Sequence, residues 1–264
     1  MKVVLFCGGY GMRMRNGPAD DVPKPMQLVG PRPLLWHVMR YYAHFGHKDF
    51  VLCLGYGARH IKDFFLSYTE TASNDFVLRG GEVELLSTDI SDWSITFVHT
   101  GIESSIGERL RRVREHVAGE EMFLANYADV LSDAPLDDMI AGLEASDAGA
   151  SMMVVPPQST FHCVELEGRQ VRSISSASQL PVWENAGFFV LRQEVFDHLP
   201  ENGDLVEDAC GTLAGKGRLV AYPYRGFWQP ADTFKERAAL DAAYESGERP
   251  WMLWEKTAPV GAGT

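Results

Sequence analysis

No stretch of this chain comes near the ~18 consecutive apolar residues of a membrane span; the run that opens it, Val3 to Cys7, has five. Five is also too few for the core of a secretion signal. Cysteine is scarce, and Cys7, Cys53, Cys163 and Cys210 lie far apart with no C-x-x-C pair. That spacing argues against a disulfide framework or a metal-binding knuckle and predicts reduced, mostly buried thiols in a cytoplasmic protein. Basic charge is in deficit: 24 Lys and Arg face 36 Asp and Glu, a formal net charge of −12. A general nucleic-acid binder or a protein docking on anionic membranes needs a basic face, so no nucleic-acid and no membrane partner is expected. The balance still allows a local basic pocket for a small phosphorylated molecule. Internal repeats and low-complexity segments are also missing.

What remains is a chain of 264 residues, 45% hydrophobic and 11% aromatic, enough to bury a sizeable core. Lys2 to Phe6, apolar from Val3 onward, stops at Gly8-Gly9, the pattern of a buried parallel strand feeding a glycine turn. Residues 10 to 32, rich in glycine, proline and basic side chains, read as a long functional loop. A helix is expected over Pro33 to Phe45, ended by Gly46, then a strand at Phe50 to Leu54 and a helix at Ala58 to Tyr68. The polar stretch 70 to 93 reads as an excursion with a short strand at Glu82 to Leu86. Strands at Ile95 to His99, Met122 to Ala125 and Ala150 to Val155 alternate with helices at Glu108 to His116 and Pro135 to Ala145. This alternation predicts an α/β fold with a mostly parallel, doubly wound, Rossmann-like sheet. After Pro156-Pro157 short strands at Cys163 to Leu166, Val171 to Ile174 and Gly187 to Leu191 predict a small antiparallel β appendage. A helix at Asp232 to Ser246 closes the fold.

Chemistry concentrates in two places. Gly8-Gly9-Tyr10-Gly11-Met12-Arg13 follows the first strand directly, and Pro23-Lys24-Pro25-Met26 lies shortly beyond. Glycines there let the backbone approach a phosphate with its N–H groups inward, while Arg13 would bring a fork of donors and Lys24 a point charge. The segment is neither a Walker A loop nor the dinucleotide fingerprint, since it lacks a following G-K-[ST] and the third glycine. The second place is a pair of carboxylates. Asp129 follows the strand at Met122 to Ala125, at a carboxyl end, where open α/β sheets bind ligands. Asp232 follows Gly226-Phe227-Trp228-Gln229-Pro230. Two carboxylates suit a Mg²⁺ that keeps waters and takes substrate phosphates; alternatively Asp129 is a turn residue and Asp232 the N-cap of the last helix.

These residues, taken in order, resemble the glucose-1-phosphate cytidylyltransferases, a family of sugar-phosphate nucleotidyltransferases. The likeness runs through Gly8-Gly9-x-Gly11-x-Arg13, Pro23-Lys24-Pro25-Met26, Leu35-Trp36-His37, Thr100-Gly101 with Arg109-Leu110, and Tyr127-x-Asp129. It continues in Pro156-Pro157, Val171-Arg172-Ser173, Asn185-x-Gly187-Phe188-Phe189, Gly226-Phe227-Trp228-Gln229-Pro230-x-Asp232-Thr233 and Pro250-Trp251. It implies a mixed sheet of the GT-A-like nucleotidyltransferase type in one domain, 1–255, with a nucleotide-binding half (1–135), an acceptor-binding half (136–255) and a flexible tail (256–264). It implies Arg13, Lys24, Asp129 and Asp232 as catalytic residues, the two aspartates holding Mg²⁺. Gly8, Gly9, Gly11, Arg13 and Lys24 would hold a nucleoside triphosphate, CTP by resemblance, with Thr100, Gly101 and Gly107 beside its base and ribose. Asn185 and Gly187 would line the pocket of a phosphorylated small-molecule acceptor. The reaction implied is attack by a sugar 1-phosphate oxygen on the α-phosphorus, releasing pyrophosphate.

The departures from the family cluster in the acceptor half. Its Glu-Lys-Pro segment, whose lysine meets the sugar phosphate, is represented here by the uncharged Ser175-Ser176-Ala177-Ser178. The family's arginine and glycine after the Pro-Pro pair are replaced around Gln158 to Cys163, where Phe161 and His162 are bulkier, and Gly-Asp-Gly around the metal aspartate has become Ala128-Asp129-Val130. Losing a lysine to phosphate costs about 1.5–3 kcal/mol unless replaced. His162, Arg169, Arg172 and Arg192 are the candidate replacements, so His162 and Arg172 join the acceptor site. A changed acceptor, such as a cyclitol phosphate or phosphonate, and a non-catalytic nucleotide-binding protein are the competing readings. The arginine run Arg109 to Arg114 reads as a solvated helix face. The excursion 70 to 93 and the aromatic C-terminal region are the surfaces expected to serve a homo-oligomer.

Overall fold

A computed structural model of the chain describes residues 1–9, 22–158 and 161–256. The first strand, β1 (Lys2–Phe6), sends Val3 and Leu5 to one face and Val4 and Phe6 to the other, the two-residue period of any strand. Both faces are covered, which is why β1 reads as an apolar run from Val3 onward. Within the long loop that follows, a hairpin of β2 (Leu28–Val29) and β3 (Arg32–Pro33) leads into α1 (Leu34–His44). Next come β4 (Asp49–Leu54), α2 (Ala58–Leu66), the single turn α3 (Glu70–Ser73), a hairpin of β5 (Phe76–Arg79) and β6 (Glu82–Leu85), and β7 (Ser94–His99). Helices α4 (Ile106–Arg112) and α5 (Arg114–Val117) precede β8 (Met122–Asn126), β9 (Val130–Ser132), α6 (Leu136–Glu144) and β10 (Ala150–Val155). An exposed hairpin of β11 (His162–Glu167) and β12 (Gln170–Ser176) leads to β13 (Glu184–Arg192). The chain ends through α7 (Gly211–Gly215), β14 (Leu219–Pro223), β15 (Trp228–Pro230), α8 (Phe234–Ser246) and α9 (Leu253–Lys256).

Seven strands form the central sheet in the order β14-β10-β13-β8-β1-β4-β7. The parallel pairs are β1 with β4 and β8, β4 with β7, and β10 with β14; β13 runs antiparallel to both its neighbours. One face packs on α1, α6 and Leu240 of α8, the other on α4, α5 and α7. The sheet is therefore mixed and doubly wound, as expected. From β1 the chain moves outward through β4 and β7, then returns to β8 on the opposite flank of β1. The carboxyl ends of β1 and β8 bound the crevice where the winding reverses, the place where such sheets bind ligands.

Three expectations change. The strand at Gly187 to Leu191 is no part of the appendage: it is the core of β13, buried in the middle of the main sheet. The helix expected over 108 to 116 breaks at Val113, the boundary between α4 and α5. The last helix starts at Phe234, and Thr233, not Asp232, caps it. Among the described residues no helix is long and apolar enough to cross a membrane.

Candidate active site

Two three-residue strands bring the carboxylates together. β9 and β15 pair antiparallel, Trp228 opposite Ser132, Gln229 opposite Leu131 and Pro230 opposite Val130. The ladder continues one step further, Ala231 N–H donating to the Asp129 carbonyl at 3.0 Å. Asp129, just before β9, and Asp232, just after β15, thus emerge side by side although they are far apart in sequence. The start of α8 leaves Asp232 free for this. Thr233 Oγ1 accepts from Glu236 N–H at 3.2 Å, and Glu236 Oε2 accepts from both Thr233 and Asp232 N–H at 2.8 Å. This is a capping box. The helix end is satisfied without the Asp232 side chain, which settles the alternative N-cap reading.

Lys24 lies between the two acids. Its ammonium donates to Asp129 Oδ2 at 2.6 Å and to Asp232 Oδ1. Burial pulls the Lys24 pKa down, but the charges and hydrogen bonds of Asp129 and Asp232 outweigh it, so the ammonium is held above its ordinary value. At Asp129 burial dominates the other way: the carboxyl is pushed up, Lys24 lowers it and Asp232 raises it again. The lysine is fixed by its neighbours in sequence. Pro23 and Pro25 flank it in a tight 3₁₀ turn over Lys24–Met26, with Pro25 buried. Gly57 packs on that turn; a Cβ there would sit 2.5 Å from Pro23 Cγ. The glycine turn after β4 is thus a support for Lys24.

Gly8 ends β1 against the same support. Its carbonyl accepts from Tyr56 N–H at 3.3 Å and from Arg109 Nη2 at 3.0 Å, and a Cβ on it would collide with the Arg109 guanidinium. Gly9 is exposed, with open space where a Cβ would stand. Gly11 and Arg13 lie outside the described residues. Arg109 is a residue that sequence reasoning misplaced. It is 2% exposed and donates to Thr100 Oγ1 and to the carbonyls of Gly8, Gly101 and Ile102 at 2.8–3.0 Å. Far from lying on a solvated face, it buckles the ends of β1 and β7 together, and burial lowers its pKa. Arg112 joins it, donating to the Thr100 carbonyl at 2.9 Å. The signal available in sequence was Leu110 and Val113 within the arginine run, which mark a buried face.

Thr100 is fully buried, its hydroxyl donating to the Leu54 carbonyl at 3.0 Å and accepting from Arg109, so it builds the wall and presents no free group. Gly101, at φ +88°, borders an open depression of about 660 Å³ lined by His99, Ile102, Ser104, Arg112 and Asn202. Gly107 is not brought to this depression: it packs α4 onto the Gly203 carbonyl.

On the other flank Tyr127 organises the residues expected at the acceptor. Asn185 Nδ2 donates to Tyr127 Oη at 2.9 Å, and Asn185 Oδ1 accepts from Gly187 N–H at 3.0 Å. Gly187 sits at φ +78° in a bulge of β13, and a Cβ there would come 2.7 Å from the Tyr127 ring. Bulges of this kind re-aim side chains beside sites. Burial raises the Tyr127 hydroxyl to a pKa of about 12, so it stays a neutral donor and acceptor. His162 stands at the base of the β11–β12 hairpin, opposite Ser176, and Arg172 pairs with Glu167 on the hairpin itself. The structure does not gather these two around Lys24 and the aspartates.

No family model matches the chain. It is 34% identical over 258 residues to the glucose-1-phosphate cytidylyltransferase of Salmonella typhi, covering 97% of this chain and 100% of that protein. The Salmonella typhimurium protein of the same name matches over the same shares, also at 34%. Among solved structures, a UDP-glucose pyrophosphorylase from Acinetobacter baumanii superposes with a TM-score of 0.69 at 19% identity, covering 97% of this chain and 96% of that one. That likeness shows the fold alone, the GT-A-like arrangement described above.

Proposed function

The chain belongs to the glucose-1-phosphate cytidylyltransferase family, whose members are nucleotidyltransferases, and from that premise we propose that it couples CTP to a sugar 1-phosphate. The observation that carries the proposal is the convergence of Lys24, Asp129 and Asp232 where the winding of the sheet reverses. The carboxylates fit Mg²⁺. Among the described residues no group of three or more His, Cys, Asp and Glu could hold a metal. A pair of oxygen ligands, with waters and substrate phosphates completing the shell, is the donor set Mg²⁺ accepts. When bound, the metal neutralises charge on the reacting phosphates.

The chain's own residues supply the rest by position and charge. Gly8 and Gly9, with Gly11 beyond them, offer backbone N–H groups to the triphosphate, with Arg13 toward the leaving pyrophosphate. The depression beside Gly101 takes base and ribose. Lys24, whose ammonium lies between Asp129 and Asp232, would offer its charge to the α-phosphate. An oxygen of the acceptor phosphate attacks the α-phosphorus in line, the bond from that phosphorus to the bridging oxygen breaks, and pyrophosphate leaves. No covalent enzyme intermediate is needed, and positioning with charge neutralisation accounts for catalysis. Tyr127, Asn185 and Gly187 form the acceptor wall. Exposed Leu78, Val83 and Leu86 of the excursion are the surface we assign to homo-oligomer contacts, to be checked by light scattering.

The test is pyrophosphate release with Mg²⁺, crossing the four ribonucleoside triphosphates and dTTP with glucose 1-phosphate and other sugar, cyclitol and phosphonate acceptors. Release with CTP and glucose 1-phosphate sustains the proposal. Release with another acceptor alone would reassign the acceptor, and silence throughout, with triphosphate binding intact, would identify a non-catalytic binding protein.

A further inference from the structure

The acceptor half lacks a lysine at 175–178, and the candidate replacements are placed elsewhere. Arg192 pairs opposite Met122, at the edge of the sheet remote from Asp129, and its guanidinium is spent on Glu121 and the carbonyls of Leu143 and Ala148. Arg172 is paired with Glu167. Arg169 lies at the tip of the β11–β12 hairpin, beyond six residues of strand, about 20 Å from its base. His162 stays at the base, where its imidazole lacks an arginine's fork of donors.

Another cation stands at the right edge. β14, β10 and β8 all run the same way, so the chain leaves β14 at the edge that bears Asp129. It then crosses toward β9: Tyr224 N–H donates to the Val154 carbonyl at 2.8 Å and Trp228 Nε1 to the Ala186 carbonyl at 2.9 Å. Arg225 lies on this crossing, one residue past Tyr224 and three before Trp228, which opens β15 opposite β9. Its guanidinium rests 4.8 Å from the ring centre of Trp183, the residue before β13, and both side chains are exposed. Among the described residues Arg225 forms no ion pair. An arginine held by its face against an indole keeps its in-plane N–H groups free, and that edge matches two phosphate oxygens.

We propose that Arg225, laid on Trp183, binds the phosphate of the acceptor and replaces the charge missing from 175–178. This rests on the nucleotidyltransferase reading given above and names the residue that gives that site its acceptor.

The experiment uses the full chain with CTP and whichever acceptor phosphate supports pyrophosphate release. Arg225→Gln is expected to raise KM for the acceptor ten- to hundredfold with KM for CTP unchanged; Arg225→Lys falls between, and Trp183→Ala follows Arg225→Gln more closely than Trp183→Phe does. An acceptor KM within twofold of wild type in Arg225→Gln, or a larger loss in Arg169→Gln, overturns the assignment. If wild type releases no pyrophosphate with any pair, the nucleotidyltransferase reading itself fails. The arginine is then judged by calorimetry with glucose 1-phosphate: binding lost in Arg225→Gln sustains its role, while equal binding, or none to wild type, overturns it.

Discussion

Val130 stands opposite Pro230 in the β9–β15 ladder, and that rung determines where Asp129 and Asp232 meet. Because neither aspartate is needed to hold the ribbon, removing one carboxylate should disable chemistry and spare the fold. Asp129→Asn and Asp232→Asn are each expected to lower kcat by on the order of 10²–10³-fold. Circular dichroism spectra should be unchanged. A variant with a near-normal rate at saturating Mg²⁺ would remove that residue from the metal site.

Arg109 is expected to matter for a different reason. Replacing it with Gln strips donors from the buried carbonyl of Gly8 and the part-buried carbonyls of Gly101 and Ile102, and should cost about 3 kcal/mol in urea unfolding. The surviving enzyme should show a raised KM for the triphosphate with the acceptor KM little changed, because the two strand ends that Arg109 joins lie on the flank we assign to the nucleotide.

Ala128 precedes Asp129 at φ +61°, in a region that penalises any Cβ, yet its methyl is fully buried. Two effects oppose each other in Ala128→Gly. Relief of the left-handed conformation gains about 1–2 kcal/mol, while losing a buried methyl and adding glycine's chain entropy costs about as much. The variant should therefore stay within about 0.5 kcal/mol of wild type. Ala125→Gly, equally buried in β8, should lose about 1.5 kcal/mol because nothing offsets its cost. Equal losses at the two positions in chemical denaturation would refute the strain at Ala128.

His37 supplies a pH dependence. It is buried, its Nδ1 accepts from Trp251 Nε1 at 3.3 Å and its Nε2 donates to the Val29 carbonyl at 3.0 Å. Burial lowers its pKa from 6.5 to about 4. The folded ring stays neutral while the unfolded one takes up a proton, so stability is fully present above pH 6.5 and falls as pH drops toward 4. That loss amounts to about 3 kcal/mol in all. Urea unfolding between pH 7.5 and 4.5 should show this slope in wild type and its absence in His37→Gln.

The sequence revealed the members of the site better than their arrangement. Asp129, Asp232 and Lys24 are readable because a carboxyl end, a glycine turn and a Pro-Lys-Pro segment are local features. β9 and β15 are not readable, because three residues are too few to show a strand's alternation and their pairing is long-range. The place of β13 was hidden for the same reason: an apolar run states that a strand is buried, not which sheet it joins. Arg109 was misplaced because charge usually marks the surface, and four neutral acceptors in the interior leave no trace in a linear pattern. Thr233 was the legible cap all along, with Glu236 three residues on, but Asp232 beside it offered the same chemistry.

β13 has a consequence for how this enzyme's selectivity can change. Since it runs against β8 and β10, the chain leaves β10 and re-enters β13 at the same edge of the sheet, on adjacent strands. Everything between them, the β11–β12 hairpin included, hangs as an exchangeable cassette whose two ends are neighbours. A lineage can rewrite that cassette, as the uncharged run at 175–178 illustrates, without breaking a single rung of the sheet or moving either aspartate. Residues set on that connection are free to drift while the strands on either side of it stand still.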